Sequence, residues 1–259
     1  MERLTTLGSI KCLRFSPWER VPGLCQGVTV RSRESESTGF FSHLVEEFDS
    51  RGFSSTCRLK QVHGRRVVPA TGGWIQGQGS LPVQGRLPEA DGLVGSSDCN
   101  VVGAITMADC VPVFLLDTAS CGWALLHAGW RGIAEGILPQ GVKTLIENLD
   151  THPDKLEMYL GPAACGSCYQ VGPEVAARFE RHAAEAESSA VNIVEGEKYL
   201  DLRRVLAFQA RSAGILSASI HISRYCTHCD NHLFYSYRIE GKRSLSRMWA
   251  FLGNVSSHH

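Results

Sequence analysis

The sequence predicts an α+β fold in a single domain that spans residues 1–255. Three observations support this prediction. The 259 residues are enough to bury a sizeable core. Apolar, β-branched runs cluster before the longest helical segment and recur after it, instead of alternating with helices as in a regular βαβ series. The chain also shows no fixed-period repeat and no low-complexity tract, and its last residues, 256–259, are predicted to form a disordered tail.

The predicted strands are short runs of apolar and β-branched residues that are bounded by turn residues. They cover, in chain order, residues 27–32, 57–62, 66–70, 99–106, 111–117, 121–127, 156–161, 217–223 and 233–238. The predicted helices have apolar residues at helical spacing and cover 40–52, 133–149, 173–187 and 200–214. Gly214 stands where a glycine ends a helix. The segment 71–92 contains eight glycines and prolines and is predicted to be a surface loop beside a site.

Charge and hydropathy exclude several classes of partner. Lys and Arg together number 26, as do Asp and Glu, so no basic field favours a nucleic acid backbone. No stretch approaches the eighteen or more apolar residues of a membrane span, and the first residues lack the apolar core of a signal peptide. We therefore expect a cytoplasmic protein that contacts neither nucleic acid nor membrane, and whose ten cysteines are mostly reduced thiols.

One constellation brings together two residue types that carry chemistry. Cys110 directly precedes a predicted strand, and His127 ends the next one after a short DTAS turn. If the two strands form a hairpin, the start of the first lies beside the end of the second, and the two side chains become neighbours. His63 follows another predicted strand and is placed to complete the group.

One thiolate and two imidazoles make a three-ligand zinc site with a fourth position open for water or substrate, which is the arrangement of catalytic zinc sites. Spacing alone leaves two alternatives open. Cys110 and the histidines are structural residues in the first. In the second, Cys110 is a nucleophile activated by His127 without any metal.

A second cysteine pattern consists of two CxxC pairs. Cys165 and Cys168 form the first pair, and Cys226 and Cys229 form the second. Two such pairs can build a closed zinc site, but 57 residues separate them, more than in a compact zinc ribbon. The sequence therefore favours four reduced thiols over a four-cysteine metal site.

Other polar and aromatic residues near these motifs have two interpretations each. Arg131 is predicted to hold an anion at the start of the following helix, together with backbone amides, and Trp130 is predicted to fill the core. Asp91 and Asp109 either form turns or orient ligand imidazoles, and for Asp91 the turn role is favoured.

Seven segments resemble one known family in matching order, over about residues 57–250. They are KQVHG (60–64), EADGLV (89–94), TMADCVPVFLLD (106–117), LLHAGWRG (125–132), GPAACGSCYQVGPEV (161–175), YLDLRRVLAFQARSAGI (199–215) and CTHCDNHLFYSYRIEGKRSLSR (226–247). The chain resembles the laccase-domain, or polyphenol-oxidase-like, family, whose members are now regarded as zinc-dependent purine nucleoside phosphorylases.

The resemblance implies a three-layer α/β/β fold with mixed sheets. It places the zinc ligands on His63, Cys110 and His127, the residues that the strand argument groups, and we add Arg131 as a catalytic residue that holds phosphate. The implied activities are phosphorolysis of adenosine, inosine and 5′-methylthioadenosine to the base and a ribose 1-phosphate, and deamination of adenosine. The small-molecule partners are then a purine nucleoside and phosphate, and we expect a monomer or a homodimer.

Aromatic residues near the motifs are candidates to stack on the purine base. They are Tyr169, Phe234 and Tyr235, each of which also suits a core position.

Copper is the alternative metal, because older descriptions of the family are of a laccase that oxidises phenols. A multicopper oxidase needs many paired histidines, whereas this chain has eight before its last two residues. This count argues against such an enzyme.

The chain departs from the family pattern at several positions. The glycine-rich R-x-G-G-x-S element and the S-L-N that follows it are missing from residues 28–44. Leu206 replaces an asparagine, the usual T-G-R reads Leu-Ser-Arg at 245–247, and a commonly doubled cysteine reads Ser167-Cys168. These departures bear on substrate preference more than on the three metal ligands, and the last one weakens the case for additional copper.

Overall fold

Two β-sheets packed face to face, with helices on their outer surfaces, make up the computed structural model of the chain. The structure describes residues 1–32, 39–70, 75–76, 87–183, 190–241 and 246–255. Its strands are β1 (Glu2–Leu7), β2 (Ile10–Phe15), β3 (Leu24–Thr29), β4 (Ser55–Arg58), β5 (Val67–Pro69), β6 (Ile75–Gln76), β7 (Gly92–Gly95), β8 (Val101–Met107), β9 (Val111–Asp117), β10 (Trp123–Ala128), β11 (Leu156–Leu160), β12 (Gln170–Val171), β13 (Val191–Val194), β14 (Glu197–Leu200), β15 (Ile220–Ile222) and β16 (Met248–Asn254). Its α-helices are α1 (Phe40–Asp49), α2 (Trp130–Glu135), α3 (Ile137–Asn148), α4 (Pro173–Ala183), α5 (Leu202–Ser212) and α6 (Tyr237–Glu240).

Both large sheets are mixed. The seven-stranded sheet has the order β1-β2-β3-β16-β8-β4-β6, in which only the β4–β8 pair is parallel. The six-stranded sheet has the order β15-β11-β9-β10-β7-β5, with parallel pairs at its two ends, β15–β11 and β7–β5. A small antiparallel sheet, β12-β14-β13, stands beside them. The predicted α+β class, with three α/β/β layers and mixed sheets, is confirmed.

Strand β9 shows why the central strands are apolar throughout. Val111, Val113 and Leu115 face the helical layer, while Phe114 and Leu116 face the other sheet. Because a strand points alternate side chains to opposite faces, a strand buried on both faces reads as a continuous apolar run. The same alternation puts residues 110, 112 and 114 on the face between the sheets, as it does residues 123, 125 and 127 of β10.

The helical layer covers the outer face of the six-stranded sheet, and, among the described residues, α1 packs alone on the far face of the seven-stranded sheet. Apolar residues of α3 and α5 pack on the six-stranded sheet in one core cluster. Phe40, Leu44 and Phe48 of α1 pack on the far face of the seven-stranded sheet, against Val102 and Phe251. No helix within the described ranges is long and apolar enough to cross a membrane.

Two predicted elements differ from the structure. The single helix predicted over 133–149 is two helices, because Gly136 adopts a left-handed conformation with φ of 88° and separates α2 from α3. The strand predicted over 233–238 is wrong. Its consecutive aromatics Phe234 and Tyr235 are both buried, so the run does not alternate as a strand would, and Ser236 caps the short helix α6 instead.

Several predictions fall on residues outside the described ranges. Most of the predicted loop 71–92 lies there, namely residues 71–74 and 77–86, as do residues 33–38, Leu245 and the tail 256–259.

Candidate metal centre and its cavity

The hairpin β9–β10 brings Cys110 and His127 together, as the sequence predicts. The two strands are antiparallel, and His127 is paired with Pro112 and Ala128 with Val111. Cys110 precedes β9 by one residue and therefore lies diagonally across from His127, with both side chains on the face between the sheets. His127 is 3% exposed, whereas Cys110 is half-buried at the edge of the sheet.

His63 joins them from a loop that precedes β5. Its ring centre lies 4.8 Å from that of His127, with the two ring planes at 80°. The ligand atoms of His63, Cys110 and His127 all lie within 4.8 Å of one another. Tetrahedral zinc with these ligands needs separations of about 3.5 Å, so modest side-chain adjustment completes the group.

Asp91 holds both histidines. Its carboxylate, which is fully buried, accepts the Nδ1 proton of His127 at 2.9 Å. It also accepts backbone N–H bonds from Val62 at 3.2 Å, His63 at 3.0 Å and Gly64 at 2.8 Å. The bond to Nδ1 leaves Nε2 of His127 to act as the ligand atom. The favoured turn role for Asp91 is therefore wrong, because this residue is buried and orients a ligand imidazole.

The two glycines of HAGWRG leave space for the site. A Cβ on Gly129 would lie 3.0 Å from Cδ2 of His63 and 3.1 Å from Sγ of Cys110. A Cβ on Gly132 would lie 2.6 Å from the backbone oxygen of Gly64, in the loop that carries His63. Both positions therefore exclude a side chain because the ligand residues approach the backbone closely.

The Cys110 thiol and the His127 imidazole shift each other's pKa. Burial would raise the pKa of the Cys110 thiol, but the charge on His127 and hydrogen bonds from both imidazoles lower it to about 6. Burial would lower the pKa of His127, but Cys110 and Asp91 raise it to about 9. Without a metal, the pair is a thiolate and an imidazolium at neutral pH.

The three side chains suit zinc by their chemistry. They offer one thiolate and two imidazoles, Asp91 fixes one imidazole, and all three line a cavity of about 570 Å³ from which a fourth ligand can approach. Such a set fits an open metal site better than a closed structural one.

Three arginines line the same cavity. They are Arg131, Arg238 and Arg247, and each guanidinium lies over an aromatic ring: Arg131 is 4.4 Å from the Trp130 ring centre, and Arg238 is 4.6 Å from that of Tyr169. Arg131 belongs to the first turn of α2, which has only six residues, and the Ile133 N–H there already bonds Gly129. The Arg131 guanidinium lines the cavity, and the anion-binding role of this residue and of the backbone amides stays a prediction.

Sequence reasoning missed Arg238 and Arg247 as cavity residues. Both stand in the segment YSYRIEGKRSLSR (235–247), which belongs to the last of the seven segments that resemble the family. The sequence feature that could have indicated them is the pair of arginines in a segment that follows two consecutive aromatic residues. The strand predicted over 233–238 places Arg238 in a sheet instead of at the cavity, and no predicted element contains Arg247.

The three aromatic residues predicted to stack on the purine base lie in two different environments. Tyr169 lines the cavity, whereas Phe234 and Tyr235 are 0% and 1% exposed and belong to the core between the sheets. Trp130 packs against the helical core cluster, as predicted, and also lines the cavity.

Asp109 connects separate loops at this end of the sheet. Its carboxylate accepts the Thr227 hydroxyl at 2.6 Å and the Arg238 backbone N–H at 2.9 Å. Its backbone oxygen accepts the N–H of Ala164 at 3.1 Å. Asp109 therefore connects the neighbour of Cys110 to two loops and to helix α6.

Comparison with known proteins identifies the family of the chain. The model of a family described as "Multi-copper polyphenol oxidoreductase laccase" matches residues 34–254. The chain belongs to this family. The resemblance drawn from the sequence motifs is thereby confirmed.

Relatives in this laccase family carry names of a different kind. The chain is 34% identical over 194 residues to "Purine nucleoside phosphorylase YfiH" of Escherichia coli, which covers 75% of this chain and 72% of that protein. It is 27% identical over 238 residues to "Purine nucleoside phosphorylase YlmD" of Bacillus subtilis, covering 88% and 84%.

Two crystal structures have the same fold. YlmD from Geobacillus stearothermophilus superposes with a TM-score of 0.81 at 23% identity and covers 99% of this chain and 100% of its own. A Bacillus licheniformis protein named YfiH gives a TM-score of 0.79 at 25% identity, covering 97% and 98%. The match extends over both sheets and their helices.

Proposed function

We propose that this protein is a zinc-dependent purine nucleoside phosphorylase that acts on adenosine, inosine and 5′-methylthioadenosine and also deaminates adenosine. One observation carries the proposal: the group His63, Cys110 and His127 forms part of the wall of an arginine-lined cavity of about 570 Å³. A cavity of this size suits a small molecule such as a nucleoside with phosphate. The names of the Escherichia coli and Bacillus subtilis relatives support the same reaction.

The zinc would be held by His63, Cys110 and His127. When bound, it supplies a Lewis acid that stabilises negative charge on a reacting oxygen. Asp91 keeps the Nδ1 proton on His127 and holds the His63 loop by its backbone, so two of the three ligands are oriented before the metal binds.

Arg131, Arg238 and Arg247 are the proposed phosphate-binding residues. Guanidinium groups bind phosphate oxygens through charge-assisted and often bidentate hydrogen bonds. Their stacking on Trp130 and Tyr169 restricts the side chains of Arg131 and Arg238 and so lowers the entropy lost on binding.

In the proposed reaction, a phosphate oxygen forms a bond to C1′ of the ribose while the bond from C1′ to the purine nitrogen breaks. The electron pair leaves with the purine, which takes up a proton, and the products are the free base and ribose 1-phosphate. The protein contributes mainly by holding phosphate and sugar in line and by stabilising charge. Tyr169, which lines the cavity, is the proposed aromatic contact of the base.

A second candidate function is hydrolysis by Cys110 as a nucleophile without metal. The lowered pKa of Cys110, to about 6, favours it, because a thiolate beside an imidazolium is a reactive pair. A chelator would leave such an enzyme active, whereas an alkylating agent would inactivate it.

A multicopper oxidase, which the family description suggests, receives less support. Two groups of metal-ligating side chains occur in the described ranges, and only the group of His63, Cys110 and His127 contains histidine. A cluster of several histidine-bound coppers therefore has no place among those residues.

The deciding experiment incubates zinc-loaded protein with each of the three nucleosides, with and without phosphate, and identifies the products by chromatography. We expect free base and the matching ribose 1-phosphate only when phosphate is present, and ammonia from adenosine as the measure of deamination. Cys110→Ala should abolish phosphorolysis together with zinc binding by the group of His63, Cys110 and His127, while Cys99→Ala, which alters an exposed thiol, should preserve both. Phosphorolysis retained by Cys110→Ala, or no base released from any nucleoside, contradicts the proposal.

A further inference from the structure

Four cysteine sulfurs converge outside the candidate metal centre. They belong to Cys165, Cys168, Cys226 and Cys229, called here the four-cysteine cluster, and all four lie within 4.8 Å of one another. The Sγ atoms of Cys168 and Cys229 are 3.4 Å apart. The 57 residues between the two CxxC pairs therefore do not keep their sulfurs apart in this fold.

The sheet explains the convergence. Strands β11 and β15 are parallel neighbours, with Met158 paired to Ile220. The loops that follow two neighbouring parallel strands leave the sheet at the same end of those strands. One CxxC pair follows β11 and the other follows β15, and a parallel bridge between Ala163 and Cys226 extends the pairing into the loops themselves.

Backbone donors point at the sulfurs. The Sγ atom of Cys226 accepts N–H bonds from Cys165 at 3.3 Å and from Cys229 at 3.5 Å. The Ser167 hydroxyl lies 3.3 Å from the Sγ atom of Cys165. Hydrogen bonds from N–H groups stabilise sulfur that carries negative charge, as it does in a metal-bound thiolate.

We propose that the four-cysteine cluster is a second, structural metal site that binds one Zn²⁺ ion through four thiolates. Four convergent sulfurs from two CxxC pairs fill a tetrahedral shell and leave no position for substrate. Soft thiolate ligands exclude magnesium and calcium. The two sites of the chain then differ in kind: three mixed ligands at the cavity, and a closed sulfur shell beside it.

The second site fixes residues of the first. Cys168 is adjacent to Tyr169, which lines the cavity. Thr227, between the cysteines of the second pair, is fully buried and donates its hydroxyl to Asp109, the neighbour of Cys110. A zinc ion that joins these two loops, which are 57 residues apart in sequence, restricts the motion of both. It therefore also restricts Tyr169 and the hydrogen bond between Thr227 and Asp109.

The test measures zinc in protein purified without added metal, by elemental analysis. We expect about two zinc ions per wild-type chain, about one in Cys229→Ser and about one in Cys110→Ala. The ion kept by Cys110→Ala should show four sulfur neighbours at about 2.3 Å by X-ray absorption. Cys99→Ser, at an exposed cysteine outside both groups, is the matched control and should keep both ions.

Three results would overturn the proposal. The first is a Cys110→Ala protein without zinc, and the second is a zinc shell in it that contains nitrogen or oxygen. The third is a disulfide between Cys168 and Cys229, found by mass spectrometry after alkylation of the protein as purified. Because the wild-type and Cys229→Ser measurements need no change at Cys110, poor folding of Cys110→Ala would still leave the loss of one ion as a decisive comparison.

Discussion

Replacing Asp91 with asparagine should weaken zinc binding without removing any ligand. The carboxylate accepts four hydrogen bonds, two at each oxygen, from His127 and from the backbone of residues 62–64. An asparagine that keeps its oxygen toward His63 and His127 turns its NH₂ group toward the N–H groups of Val62 and Gly64, so two donors face two donors.

The magnitude follows from these contacts. Two charge-assisted bonds are lost, and at about 1.5 kcal/mol or more each the variant should lose roughly 3 kcal/mol of stability. The loop that carries His63 then moves, and His127 loses part of the charge that holds its Nδ1 proton. Changes to such supporting residues typically lower metal affinity by about 10- to 100-fold, which is about 1.4–2.7 kcal/mol.

Asp117 provides the matched control. It is also buried, and its carboxylate accepts bonds from Thr151 at 2.6 Å and from the backbone of Ala119 at 2.9 Å. It stands at the opposite end of β9, roughly 20 Å from Cys110 by strand rise. Asp117→Asn should therefore destabilise the fold and leave zinc affinity unchanged.

The assay is competition for zinc against a chelator of known affinity, with chemical unfolding of the metal-free proteins as the measure of stability. Equal zinc affinity for Asp91→Asn and wild type would refute the argument that Asp91 orients the ligands. Equal losses of affinity for the two variants would instead assign the effect to general destabilisation.

Three further changes test the same site. Gly129→Ala places a Cβ 3.0 Å from His63 and 3.1 Å from Cys110, so zinc affinity measured by chelator competition should fall. The pKa is about 6 for Cys110 and about 9 for His127, so at a pH between these values zinc displaces one proton from His127. Zinc affinity should therefore rise about tenfold per pH unit in this range. Calorimetry in buffers of different ionisation enthalpy should count about one proton released per zinc ion. Arg131→Gln should raise the KM for phosphate by about tenfold or more in steady-state kinetics while zinc content stays constant.

Controls separate these effects from general disturbance. Gly39→Ala adds a methyl group where nothing lies within 4 Å, and zinc affinity should not change. Arg211→Gln removes an exposed positive charge from the last turn of α5 and should leave the KM for phosphate unchanged. Zinc binding that releases no proton at pH 7.5 would contradict the assigned charge state of His127.

The part of the site that the sequence predicts is the part made by local structure. Cys110 and His127 flank a short turn between two apolar strands, so a hairpin is enough to bring them together. Asp91 is different. An aspartate before glycine is typical of a turn, and nothing local shows that this carboxylate is buried against a histidine 36 residues away.

The positions of the remaining residues could not be predicted from sequence spacing, because they lie at one end of the strands of the six-stranded sheet but come from distant parts of the chain. Cys110 precedes β9, Asp91 precedes β7 and His63 precedes β5, while His127 lies at the end of β10. The sheet order β15-β11-β9-β10-β7-β5 and its strand directions turn all of these strand ends to the same side.

The same edge accounts for both cysteine pairs, since β11 and β15 also end there. Separation along the chain is informative about a metal site only when the ligands lie on one compact unit such as a zinc ribbon. When ligands follow strands of one sheet, the relevant quantity is the order and direction of those strands. All six strands of this sheet therefore have metal-ligating or supporting residues next to the same end of the sheet. The group of His63, Cys110 and His127 and the four-cysteine cluster both result from this one topology.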